Sequence, residues 1–195
     1  MEEIIQNIPN ISDKVLLHIC RHFKNLPPED LSKLLELGID RAEIEQELML
    51  VGSKFFSPPF SGIYAIVDYI KKNWQKKEVI SFENDILVSR WVLNKSEYPL
   101  GIGNDGLVSL KSLNENELSK VYKKDRKTFV VNAYPTSQIF PTWEFNVISK
   151  SKPNPDILTI YPGTYAPPFP MDSMEKDFFL SCDEFWKVHA LIESK

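Results

Sequence analysis

"ILVSRWVL", residues 86–93, is where the chain changes character. Ile86, Val88 and Val92 alternate with Leu87, Ser89 and Trp91, and a period of two marks an extended strand. The stretch before it has another period. "IYAIVDYIKKNW" (63–74) carries Ile63, Ile66, Val67 and Ile70 at the three-and-four spacing of a helix, with lysines towards its end. Helical patterning therefore gives way to extended patterning near residue 79.

Towards the N-terminus the spacing predicts three more helices. Ser12 and Asp13 can cap one whose apolar positions are Val15, Leu16, Ile19 and Phe23. In "LPPEDLSKLLELG" (26–38), Pro27 and Pro28 suit a helix start, Glu29 and Asp30 suit its positive dipole end, and Gly38 ends it. In "DRAEIEQELML" (40–50), Asp40 and Glu43 form a capping box. "SKFFSPPFSG" (53–62) reads as a turn or linker.

Towards the C-terminus, "GIGNDG" (101–106) is a turn from which "LVSL" pairs on, and "NENELSKVY" (114–122) reads as a short helix. "KTFVVNAY", "TWEFNVIS" and "DILTIY" follow as strands. The last stretch, from Asp172 onward, is amphipathic, with Phe178, Cys182, Phe185, His189 and Ile192 on one stripe. The expected fold is α+β: N-terminal helices, then a small, mostly antiparallel sheet, then a C-terminal helix. A helical part over 1–77 and a sheet part over 78–195 are expected, as two parts or as one continuous domain.

The totals narrow the function classes. The chain has 195 residues, 43% hydrophobic and 12% aromatic, which is globular composition. No apolar run approaches the ~20 residues of a membrane helix. Glu2 and Glu3 stand where a secretory signal carries Lys or Arg, so a cytoplasmic location without membrane contact is expected. Cys20 and Cys182 form no disulfide framework and no CxxC metal pair; both are expected reduced and buried. The net charge is −4, but residues 61–130 carry 12 basic and 9 acidic side chains against net negative flanks. Only this middle third favours a polyanion, and its bias is small for a duplex binder.

Several stretches carry candidate chemistry. "HICRH" places His18 and His22 four apart, a metal-ligand spacing, yet it lacks the glutamate of a zinc hydrolase; two helix histidines is the simpler reading. "GIGNDG" has glycines at 101, 103 and 106, but a strand-like "LVSL" follows where a phosphate loop needs a helix, so a hairpin turn is preferred. "KVYKKDRKTFVV" (120–131) is the densest basic stretch, with Tyr122 and Phe129 among its cations. That mixture suits single-stranded nucleic acid, and a solvated corner is its plain alternative. "NAYPTSQ" and "LTIYPG" both end a strand in Tyr-Pro beside hydroxyls: Tyr134-Pro135 with Thr136 and Ser137, and Tyr161-Pro162 with Thr159. His189 is the natural proton carrier if it faces a cleft, and a packed core residue otherwise. Cys182 has no evident activating base. Pro167, Pro168 and Pro170 stiffen the loop after Tyr161, which holds Tyr165 either for recognition or as a plain crossover.

"YPLGIGNDGLVSL", "RKTFVV", "LTIYPGTYAPPFP" and "FWKVHALI" together resemble blocks of a group of bacterial and phage-borne proteins. In that group a Thr-x-aromatic-Pro-Gly strand end precedes a proline loop and a terminal Phe-Trp-x-x-His-Ala helix. The likeness spans about half the chain, residues 98–192. The layout also resembles the compact toxin-type ribonucleases: RelE-like, barnase-like, colicin-like and EndoU-like.

That resemblance implies metal-independent RNA cleavage through the 2′-OH, with no cofactor and no metal. Arg126 or Lys127 would stabilise the phosphorane. Thr136, Ser137, Thr159, Tyr161 and Tyr165 would position substrate, with Thr159 at the catalytic centre, and His189 would move the proton. EndoU-like enzymes use two histidines and a lysine, whereas this region offers one histidine. The expected function is a toxin-like endoribonuclease or a degenerate, purely binding descendant, with RNA as partner. The alternative is a non-catalytic protein-interaction module of a phage or toxin system.

Overall fold

The computed structural model describes residues 8–50, 53–83, 85–105, 120–124, 127–131, 141–151, 155–167 and 174–194. In chain order the elements are α1 (Asp13–Cys20), α2 (Pro28–Glu36), α3 (Arg41–Met49), β1 (Lys54–Phe55), α4 (Ile63–Lys72), β2 (Glu78–Glu83), β3 (Ile86–Val92) and β4 (Gly103–Asn104). Then come β5 (Lys120–Lys124), β6 (Lys127–Val131), β7 (Pro141–Thr142), β8 (Glu144–Lys150), β9 (Asp156–Pro162), α5 (Lys176–His189) and β10 (Ala190–Ser194). All pairs among these strands are antiparallel, with helices at the N-terminus and one towards the C-terminus, so the fold is α+β as expected. The chain forms two compact units: Met1–Asn104 with Pro141–Gly163, and Asp105–Phe140 with Thr164–Lys195.

In the first unit α1, α2 and α3 start at the residues that the sequence marks, although the Ser12 side chain, expected to cap α1, makes no cap hydrogen bond. The Asp40 side chain accepts the Ala42 N–H at 2.6 Å, and α2 opens on Pro28. α4 begins after Gly62, which has no capping side chain of its own. Asp30 of α2, a buried carboxylate, accepts the Tyr64 N–H at 3.3 Å instead. A Cβ at position 62 would stand 2.2 Å from Asp30 Oδ2 and 2.6 Å from Pro27 Cδ. Gly62→Ala is therefore expected to displace this borrowed cap and lower stability by about 1–3 kcal/mol. A urea titration comparing the two proteins checks it; an unchanged midpoint would show that Asp30 moves aside freely.

The main sheet runs β2-β3-β8-β9. Trp91 pairs with Phe145, Ser89 with Val147 and Leu87 with Ser149, so these positions share a face. Of them, Trp91, Phe145 and Val147 belong to the hydrophobic core together with Leu16, Ile19, Leu34, Ile44, Ile63 and Ile66 from the helices. Ile157 and Ile160 also enter that core, although a spacing of three would send them to opposite faces of a regular strand. A register shift resolves this. Ile148 pairs with Thr159 and Ser149 with Ile157, which leaves Leu158 as the extra residue of a bulge. The outer side of β9 is met by Asn10, which exchanges backbone hydrogen bonds with Pro155 and Ile157.

A second sheet, β1-β4-β7, explains the glycine-rich turn. Gly103 sits in β4, where a Cβ would meet the Lys54 carbonyl oxygen at 2.6 Å and Pro162 Cβ at 2.8 Å. Its glycine serves close backbone approach. Gly106 lies outside the described residues.

In the second unit the strand order is β10-β6-β5. Two expectations change here. "KVY" continues into β5, so the predicted helix over 114–122 does not reach residues 120–122; residues 114–119 lie outside the described residues. The closing helix stops at His189, and Ala190–Ser194 pair with Val131–Lys127 as a strand. Ile192 thus leaves the helical stripe and stands opposite Phe129. The open edge of β6 supplies a full ladder of backbone partners, and that tertiary pairing overrides a local preference for helix. Among the described side chains of α5, Cys182 and Trp186 are buried, and the Trp186 indole N–H donates to the Pro167 carbonyl at 3.1 Å. Both cysteines are free and buried, as expected. No helix among the described residues is long and apolar enough to cross a membrane.

Candidate functional site

β9 carries two of the sequence candidates. Thr159 and Tyr161 occupy alternate positions, opposite Ile148 and Asn146. Within the same unit the Tyr161 ring lies 5.9 Å from that of His22, which in turn is 6.3 Å from His18. His22 Nδ1–H donates to the Ser53 carbonyl at 2.9 Å, leaving Nε2 as the lone-pair nitrogen. Desolvation, reinforced by the His18, Arg21 and Lys54 charges against the Ser53 hydrogen bond, pushes His22 down to about 3. Burial lowers His18 as well.

The two cations beside these rings are engaged. The Arg21 guanidinium grips the Glu47 carboxylate with two bonds, 2.7 and 3.0 Å. Lys54 Nζ donates to the carbonyls of Arg21, Phe23 and Leu48, the last two at 3.1 Å. All three ammonium protons thus go to main-chain oxygens at the ends of α1 and α3. His22 is neutral across physiological pH and both cations have partners, so the cluster suits packing better than phosphate chemistry. Among the described residues no three His, Cys, Asp or Glu side chains gather as metal ligands.

The loop after β9 is anchored at each step. The buried Asn146 side chain donates to the Gly163 carbonyl at 2.6 Å. In the second unit Asp105 accepts both the Thr164 N–H and its hydroxyl, the latter at 2.5 Å. Pro167 receives the Trp186 indole, and Tyr165, between these anchors, is half-buried. Up to Pro167 the proline loop is held by these hydrogen bonds; residues 168–170 lie outside the described residues.

The other candidates fall elsewhere. Arg126, Thr136 and Ser137 lie outside the described residues. Lys127 opens β6, opposite Lys124 and Ser194, and His189 closes α5 just before Ala190, which pairs with Val131. The backbones of Ala190 and Lys127 are thus four residue steps apart along the ladder, about 13 Å. Thr159 and Tyr161 belong to the first unit, and Lys127, Tyr165 and His189 to the second.

The same register groups residues that the sequence leaves unpaired. Lys124 stands opposite Lys127, Tyr122 opposite Phe129 and Lys120 opposite Val131. These are alternate pairs of one ladder, so their positions fall on one face of the sheet, with Tyr122 and Phe129 between cationic positions. The signal in the sequence was the mixture itself; the β-pairing that arranges it was not legible. The pairing of His22 with Tyr161 had no sequence signal at all. The chain has no significant match among protein-family models, curated proteins or solved structures.

Proposed function

We propose that this protein binds single-stranded RNA on the three-stranded sheet of its second unit. The observation that carries this reading is the β5–β6 register, which brings Lys120, Tyr122, Lys124, Lys127 and Phe129 to one face. Same-face positions on a strand recur about every 7 Å, so lysines bracket the aromatic pair at the scale of a nucleotide or two. Lysines neutralise phosphates, and aromatic rings stack on bases of any identity. The resemblance to toxin-type ribonucleases favours RNA over DNA. The overall charge of −4 argues against a duplex binder.

Cleavage is supported less than binding. A 2′-OH mechanism needs its proton carrier and its cation at one phosphate. Ala190, next in the chain to His189, and Lys127 stand at opposite ends of the β6–β10 ladder, their backbones about 13 Å apart along it. A binding descendant of a nuclease fits this spacing better.

Fluorescence anisotropy with a labelled ten-nucleotide RNA tests the reading, with the matching DNA strand and RNA duplex as comparisons. Wild-type affinity should fall with salt with a log–log slope of about −2, from three lysines at about 0.7 each. Lys124→Ala should reduce that slope by about 0.7, and Tyr122→Ala should weaken binding roughly 5–150-fold, the range expected for one stacked base. No binding at low salt, or equal binding by both variants, would sink the proposal. Intact RNA after incubation in EDTA is expected; cleavage that His189→Ala abolishes would restore the ribonuclease reading over simple binding.

A further inference from the structure

His22 stands where separate segments of the first unit meet. It follows α1, its Nδ1–H holds the Ser53 carbonyl just before β1, and its ring lies against Tyr161 of β9. The groups acting on it are His18 one turn back, Arg21 beside it and Lys54 of β1, while Glu47 of α3 acts on His18. Glu47 is already held by Arg21 through two bonds, and Lys54 by three carbonyls. A proton on His22 Nε2 would add a further positive charge beside two cations, and among the described residues the carboxylate of this cluster, Glu47, is already paired with Arg21.

We infer that His22 is an acid-operated latch, whose protonation frees α1 from its junction with β1 and β9 while the second unit stays folded. The direction follows from linkage. Above pH 6.5 the ring is neutral both packed and released, so it adds no pH dependence. As pH falls below 6.5 the released ring takes a proton that the packed ring refuses, and opening is favoured progressively until the packed ring itself titrates near 3. The release equilibrium should therefore rise about 30-fold between pH 7.5 and pH 5.

The chain carries its own reporters. Cys20 is fully buried in α1, two residues from His22, and its thiol is pushed up to about 12. Cys182 is buried in α5 of the second unit and serves as the internal reference. We would label the full chain with 4,4′-dithiodipyridine, which stays reactive in acid, and locate the adducts by peptide mass. The expected result is a Cys20-to-Cys182 labelling ratio at least about 30-fold higher at pH 5 than at pH 7.5, reduced in His18→Asn by the share of that ring, which burial also lowers, and reduced most in His22→Asn. The Asn amide can still donate towards Ser53 but cannot take the proton. If Cys20 and Cys182 rise together, if neither rises, or if His22→Asn keeps the full response, the latch is overturned. Should His22→Asn fail to fold, amide hydrogen exchange on the wild type, corrected for its intrinsic pH dependence, decides instead: protection of α1 that falls at pH 5 while that of α5 holds upholds the proposal, and unchanged protection of α1 overturns it.

Discussion

Phe145→Ala is expected to lower the stability of the first unit by about 3–5 kcal/mol, enough to unfold a marginal domain. Phe145 is fully buried and sits at the centre of an aromatic cluster. Its ring stacks on Trp91 at 5.1 Å with planes 2° apart, and it meets Phe55, Phe60 and Tyr69 edge-on at 5.9–6.2 Å. Those four partners come from β3, β1, the segment before α4, and α4 itself. Truncation would open one cavity bordered by all of them, and no single element can move to fill it. Urea unfolding followed by tryptophan fluorescence reads the loss directly, since Trp91 reports on the stack. Phe145→Leu should recover a large part of the stability by restoring volume without the ring. A cost below about 1 kcal/mol for Phe145→Ala would mean that the surrounding rings collapse inwards.

Lys54→Met should be nearly as damaging, at about 2–4 kcal/mol. Helices end in carbonyls without intrahelical partners, at the negative end of the helix dipole. Here one ammonium gathers the Arg21, Phe23 and Leu48 carbonyls and so closes the ends of α1 and α3 together. Methionine keeps the apolar stem but strands three acceptors. Arginine should rescue poorly, because a planar guanidinium cannot converge on three carbonyls from one point. The melting temperature should fall by roughly 5–15 °C for a chain of this size. A near-neutral Lys54→Met would indicate that water replaces the ammonium.

The helices were legible because their signals are local. Asp40, Pro28 and the apolar spacing of α4 act within one or two turns, so the chain announces them. Strands β3, β8 and β9 were legible from alternation. What escaped depends on partners distant in sequence. β2, with two terminal glutamates, alternates weakly and is defined by its pairing with β3. Ala190–Ser194 reads as helix until β6 offers it an edge. The cap of α4 comes from Asp30, and no rule about neighbouring residues points there. Of the candidate site, the basic and aromatic composition of 120–131 was visible, but its arrangement required the hairpin register. Thr159 and Tyr161 were correctly placed on one strand, whereas the contact of Tyr161 with His22 exists only through the fold.

The register of β4 with β7 has a consequence for how this chain could be shortened. Asn104 pairs with Pro141 and Gly103 with Thr142, as the two arms of a hairpin pair beside their turn. The backbones of Asn104 and Pro141 are therefore adjacent, held by a strand pair of the first unit itself. A short turn can join two ends held in that way at little entropic cost. Replacing 105–140 with a two-residue Asn-Gly turn and ending the chain at Gly163 yields a minimal first unit that retains every strand of the main sheet.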